Sequence, residues 1–190
     1  MSGAGPIRPT LEQMRLLHSS TKGVHRPQMT ALRLCLETLA LPWEVVAFRL
    51  ENIQWRRGCV EVPARGIRRT RIVALPTTAL QTILQVAGSA GGKGQAVTAG
   101  RGDELNHRDL RLDRLRETLG RAAPNTLSID WNFHGLRAAG AEALRRSGLS
   151  STDLDALLGF EQRGGDRRMT IDRADRAISA AERWSRLLHG

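Results

Sequence analysis

The chain has 190 residues and 41% hydrophobic content, enough for one packed domain. Twenty-nine basic residues against nineteen acidic ones leave a formal charge of +10, which favours a polyanionic partner, usually nucleic acid. Lys22 and Lys93 are the only lysines, so arginine carries this surplus and part of it reflects an arginine-rich coding bias. The N-terminus "MSGAGPIRPT" lacks the apolar core of a signal peptide, and no apolar run is long enough to span a membrane. A cytoplasmic, nucleoid-associated protein is expected, with no membrane partner. Cys35 and Cys59 stand far apart, without a CxxC or a neighbouring histidine, and are expected to be buried thiols. No metal or cofactor is implied.

After a flexible arm over residues 1–9, one domain is expected over 10–190. Thr10 followed by "LEQMRLLHSS" predicts a capped helix, and Pro27 is placed to open a second one, "QMTALRLCLETLAL", apolar on most sides and so central to the core. Pro42 interrupts it before a short turn at "WEVVAF". The period then changes: "LENIQW", "GCVEVPA" and "TRIVALP", separated by "RRG" and "RGIRR", predict a three-stranded antiparallel sheet. "TTALQTILQVAG" returns to helical spacing. "GSAGGKGQ" reads as a flexible loop, since it lacks the order of a phosphate-binding GxxxxGK[ST]. Asn106 is expected to cap one helix running through "HRDLRLDRLRETLGRAA", ended by Pro124 and Asn125. Helices follow at about 135–147 and 151–158, with Gly148 as a C-terminal glycine and Ser150 with Asp153 as a capping pair. A last amphipathic helix is expected over about 170–188, with Ile171, Ala174, Ile178, Ala181, Trp184 and Leu188 on one stripe. The fold class is therefore mainly α with a small three-stranded antiparallel β-sheet, without internal repeats.

His134 and Arg137 form an H-x-x-R at a helix start, where backbone amides already favour an anion. Their setting, "HGLRAAGAEALRRSGLSSTDLDALLGF", resembles the C-terminal catalytic segment of the tyrosine recombinases, the phage-integrase family, with its H-x-L-R, two helices and L-L-G-H. Phe160, the residue after "LLG", lies 23 positions beyond Arg137, the family's usual interval. Upstream, "ALRLCLETLALPWEVVAF" is similar to the family's T-G-x-R-x-x-E-x-x-x-L-x-W segment, and "VEVPARGIRRTRIVALP" looks like its hairpin ending in an R-x-V-P-L-type strand. The resemblance covers about residues 10–180 and implies the family's catalytic-domain fold. The family's N-terminal core-binding or arm-type domain has no counterpart in it.

The departures bear on chemistry. The slot of the family's nucleophilic tyrosine holds Met169, and the chain contains no tyrosine at all. A thioether cannot attack phosphorus. Phe160 replaces a histidine that donates to the phosphate. Arg65 or Arg68 stands in the hairpin that carries the family's general-acid lysine, and arginine is a poor proton donor. Anchoring on Glu37 and Trp43 puts Leu34 where the first family arginine belongs, with Arg33 one residue off register. The resemblance thus implies a degenerate member that binds double-stranded DNA without catalysis. Its expected contacts are Arg33, Arg65, Arg68, Arg69, His134, Arg137, Arg145, Arg163, Arg167 and Arg168. Transcriptional regulation on a mobile element, prophage or plasmid is the role expected. A divergent active recombinase and an accessory protein acting on a full-length recombinase are the alternatives. A homodimer through Ile178, Trp184 and Leu188 of the last helix is expected, against the alternative that this helix folds back on its own core.

Overall fold

The computed structural model describes residues 8–22, 24, 26–63, 70–87, 94–100, 103–159 and 167–190, with the backbone alone at 98–100, 103 and 167–170. The first helices are α1 (Leu11–Thr21), α2 (Pro27–Thr38) and the one-turn α3 (Pro42–Val45). Strands β1 (Ile53–Gln54), β2 (Cys59–Pro63) and β3 (Thr70–Ala74) come next, then α4 (Thr77–Ala87) and a two-stranded hairpin, β4 (Thr98–Gly100) with β5 (Asp103–Glu104). Helices α5 (Leu112–Ala122), α6 (Phe133–Arg146), α7 (Ser151–Leu158) and α8 (Arg167–His189) complete the chain.

Local chemistry explains the boundaries. Thr10 Oγ1 accepts from the Gln13 amide at 3.2 Å while Gln13 Oε1 accepts from the Thr10 amide at 2.8 Å, a reciprocal cap on α1. Pro27 sits in the first turn of α2, where its missing N–H costs nothing. Met29–Leu32 and Leu34–Thr38 are all buried, which makes α2 the axis of the core. That helix stops at Leu39, the one non-glycine residue with positive φ (54°) among the described residues. A left-handed leucine costs about 1–2 kcal/mol. Burial of its side chain contributes roughly 1.5–3 kcal/mol in return. Gly140, in the middle of α6, makes the seat: a Cβ there would lie 2.5–3.2 Å from the Leu39 side chain.

The sheet is antiparallel in the order β1-β2-β3, with Val60 opposite Val73 and Val62 opposite Arg71. Val60 and Val62 face the core while Glu61 and Pro63 face outward, the alternation expected of a half-buried strand. Gly58, at φ 73°, closes the "RRG" turn with Leu75 O only 3.0 Å from where a Cβ would stand. Residues 64–69, between β2 and β3, lie outside the described residues.

Two elements differ from the sequence reading. Residues 107–123 are not one helix. Asn106 caps a 3-10 turn, His107–Leu110, and Arg111 is extended (ψ 129°), so α5 starts afresh at Leu112. Asn106 Oδ1 accepts from the Arg108 amide and Asp109 Oδ2 accepts from the Asn106 amide, which closes the short turn on itself. The end of the glycine-rich tract is also fixed. Gly94 O accepts from Leu50 N at 2.9 Å, and Ala96 N donates to Phe48 O at 2.8 Å. Residues 88–93 of that tract lie outside the described residues. Gln95, 5% exposed, locks the β4–β5 segment: its Nε2 donates to Val46 O and Leu105 O, and its Oε1 accepts from Leu105 N, each at 2.6 Å. Gln95→Ala strands these three backbone groups and should cost about 2–4 kcal/mol. Denaturant unfolding would measure it, and a loss below about 0.5 kcal/mol would mean that water replaces the amide.

Helix α8 folds back on its own core. Ala174, Ala177, Ala180, Ala181, Trp184 and Leu188 are all buried in this chain, and the Trp184 indole donates from Nε1 to Leu36 O at 2.7 Å. Glu182 accepts from the Thr77 amide and hydroxyl, and Arg15 Nε donates to Leu187 O. This is the alternative weighed against a dimer contact at Ile178, Trp184 and Leu188. Trp184 and Leu188 are already covered, and Ile178 is half-buried against the same core. Both cysteines are free and buried, as expected, and burial pushes both thiols up. Among the described residues no helix is long and apolar enough to cross a membrane.

Candidate functional site

The start of α6 faces the end of α7, and four elements converge there. Asn132 caps α6, its Oδ1 accepting from the Gly135 amide at 2.7 Å. This places His134 in the first turn, exposed, and Arg137 one turn further in, with 14% of its side chain exposed. Arg137 NH1 lies 3.5 Å from Glu44 Oε2, and its NH2 donates to Leu158 O. Arg71 comes from β3, pairs with Glu44 Oε1 and donates from NH2 to Leu157 O at 3.2 Å. Glu44 itself is 1% exposed and also accepts from the Leu41 amide at 2.7 Å, which aims its carboxylate inward.

Two guanidiniums therefore share one buried carboxylate and cap the C-terminal carbonyls of α7, the end of a helix where positive charge is stabilising. Gly159 makes the approach feasible. It takes φ 68° at the C-cap, and a Cβ on it would run into Nε, Cδ and Cζ of Arg71. The glycine of "LLG" is thus required twice, by conformation and by space. Burial pushes the Arg71 guanidinium down to about 9, with the charges of Arg137 and Arg173 adding to the effect. Burial does the same to Arg137, to about 10. Both remain protonated at neutral pH. Arg173, on α8, thus brings the charge of a third cation to bear on Arg71. Arg71 Nε is buried and has no partner among the described residues. Such a cluster suits a phosphate, whose oxygens take paired guanidinium N–H groups. Among the described residues it includes no nucleophile.

The other expected contacts that the structure describes fall elsewhere. Arg33 is turned away: its Nε donates to Thr21 Oγ1 at 3.1 Å and its NH2 to Thr21 O at 2.7 Å, capping the end of α1. Leu34 is fully buried in the core. Arg145 stands eight residues past Arg137, about 12 Å along α6, exposed and paired with Glu142. Arg65, Arg68, Arg69, Phe160 and Arg163 lie outside the described residues. Arg167, Arg168 and Met169 fall in the first turn of α8, with their side chains outside the description. Glu44 and Arg173 were missed by the sequence reading, and Arg71, although part of the basic hairpin run "RGIRRTR", was not singled out. For Arg71 a signal existed, a charged residue directly across the sheet from buried Val62.

The arrangement of a small sheet, a surrounding set of helices and an arginine cluster at the H-x-x-R helix is that of a recombinase catalytic domain. The family model of the phage integrase family matches residues 11–164, and the chain belongs to that family. Among solved structures, the integrase from mycobacterium phage Brujita matches with a TM-score of 0.64 at 16% identity, covering 99% of this chain and 63% of that one. XerA recombinase gives 0.67 at 14% identity, covering 95% and 64%. A lambda integrase (75–356) dimer bound to a COC' core site gives 0.58 at 15% identity, covering 93% and 62%. This chain thus spans under two thirds of the length of each. No curated protein matches it in sequence.

Proposed function

We propose that this protein grips duplex DNA through its arginine cluster and does not cut it, serving as a sequence-specific regulator on a mobile element, prophage or plasmid. The observation that carries the reading is the absence of any tyrosine from the chain, with Met169 in the nucleophile's slot. The convergence of Arg71 and Arg137, with the Arg173 charge acting on Arg71, supports phosphate binding, and the formal charge of +10 supports a polyanionic partner. The lambda integrase neighbour is bound to its core site, which supports duplex DNA as that partner.

The purified protein should neither nick nor relax supercoiled plasmid, and Met169→Tyr alone should not make it do so. It should still bind duplex DNA, with an affinity that falls as salt rises and a log–log slope of about 0.9 per phosphate contact. Arg137→Ala should weaken binding to specific and random duplexes alike by about 1–3 kcal/mol. His134→Ala should do less, since a neutral imidazole supplies only a hydrogen bond. A covalent adduct with a suicide substrate would overturn the non-catalytic reading. A folded protein with no salt-sensitive binding to any duplex would sink the DNA reading and leave the role of accessory to a full-length recombinase.

A further inference from the structure

We propose that His18, Glu37 and His189 form a binding site for a divalent transition metal of the zinc class, which fastens the end of α8 to α1 and α2. His18 and Glu37 are each 2% exposed, and His18 Nε2 lies 2.9 Å from Glu37 Oε1. His189, in the last turn of α8, is exposed, and its ring stands edge-on to that of His18 with centroids 4.6 Å apart. One donor atom from each of the three residues falls within 4.8 Å of the other two.

The donor set decides the class of ion. Two imidazoles and one carboxylate suit zinc, cobalt, nickel or iron(II), whereas magnesium and calcium prefer oxygen throughout. Around zinc, ligand bonds of about 2.0–2.1 Å put tetrahedral donors roughly 3.4 Å apart. The His18–Glu37 pair is already close to that spacing. The adjustment falls to His189, which is exposed and makes no hydrogen bond among the described residues. Glu37 is also held from behind: Thr82 Oγ1 donates to its Oε2 at 3.2 Å and lies 3.4 Å from Oε1. An outer-sphere hydroxyl of this kind fixes a ligating carboxylate and raises affinity. A buried His–Glu hydrogen bond alone explains two of these residues and leaves the third ring without a purpose.

The site lies apart from Glu44, Arg71 and Arg137, so its test is independent of the DNA reading. The full-length chain, freed of metal with a chelator, would be titrated with zinc and separately with cobalt. Expected results are one ion bound per chain, a cobalt absorption band in the visible, and a melting temperature that rises with free metal by mass action. His189→Ala should leave the metal-free melting temperature nearly unchanged, since the side chain is exposed, and abolish both the band and the metal-dependent rise. Glu37→Gln should weaken zinc binding by at least the roughly 10–100-fold that loss of an outer-sphere partner costs. No saturable uptake by the natural protein, or undiminished binding by His189→Ala, would overturn the proposal.

Discussion

Glu44→Gln should destabilise the fold by about 3–5 kcal/mol, the usual cost of removing one partner from a buried ion pair. The carboxylate is almost fully buried and is shared by two guanidiniums that are themselves nearly buried, at 11% and 14% side-chain exposure. Without it, Arg71 and Arg137 face each other, with Arg173 close by, and the cost is repulsion plus desolvation. Denaturant midpoints at constant slope would measure the loss. The cluster's chemistry adds a second expectation. If its remaining donors accept a phosphate, then inorganic phosphate or a short duplex should restore more stability to Glu44→Gln than to the natural protein, because the added anion replaces the missing carboxylate. Equal stabilisation of both would argue against an anion seat between the two arginines. A stability change below about 1 kcal/mol would show that Glu44 is not their counter-charge.

Trp184→Ala should cost about 3–5 kcal/mol from lost volume alone, and more from the stranded Leu36 carbonyl. That carbonyl is one of the last four of α2, which have no partner within the helix, and the indole N–H is its cap. Trp184→Phe separates the two contributions: it keeps most of the ring and loses the donor, and should cost about 1–3 kcal/mol. Thermal unfolding of the two variants would test this. A Trp184→Ala protein that unfolds within about 1 kcal/mol of the natural one would mean that the core closes over the cavity.

The pattern of local order was legible and the meeting of distant residues was not. Thr10, Pro27, Gly58, Gly148 and Ser150 each act within four residues of their own position, so the sequence shows both cause and effect. His134 and Arg137 were legible for the same reason, being one turn apart on one helix. The rest of the cluster was not. Arg71 and Arg137 lie 27 and 93 positions from Glu44, and no period connects them. Of the apolar stripe read on α8, Ala174, Ala181, Trp184 and Leu188 are covered while Ile171 is exposed, and periodicity cannot say what covers the rest. Its alanines, at 174, 177, 180 and 181, let the helix lie close against its own core. The break at Arg111 escaped notice because the leucine spacing at 112, 115 and 119 lies wholly beyond it and does not mark where the helix begins.

The contact between Trp184 and Leu36 also bears on how the chain is made. The two residues are 148 positions apart, and a ribosome adds roughly 5–20 residues per second. For on the order of ten seconds or longer, then, the nascent α2 is complete while the helix that covers it has yet to be synthesised. An apolar helix held open for that long is a substrate for chaperones and a nucleus for aggregation. Chains interrupted before α8 should therefore accumulate as insoluble material rather than as a smaller folded form, whatever their arginine content.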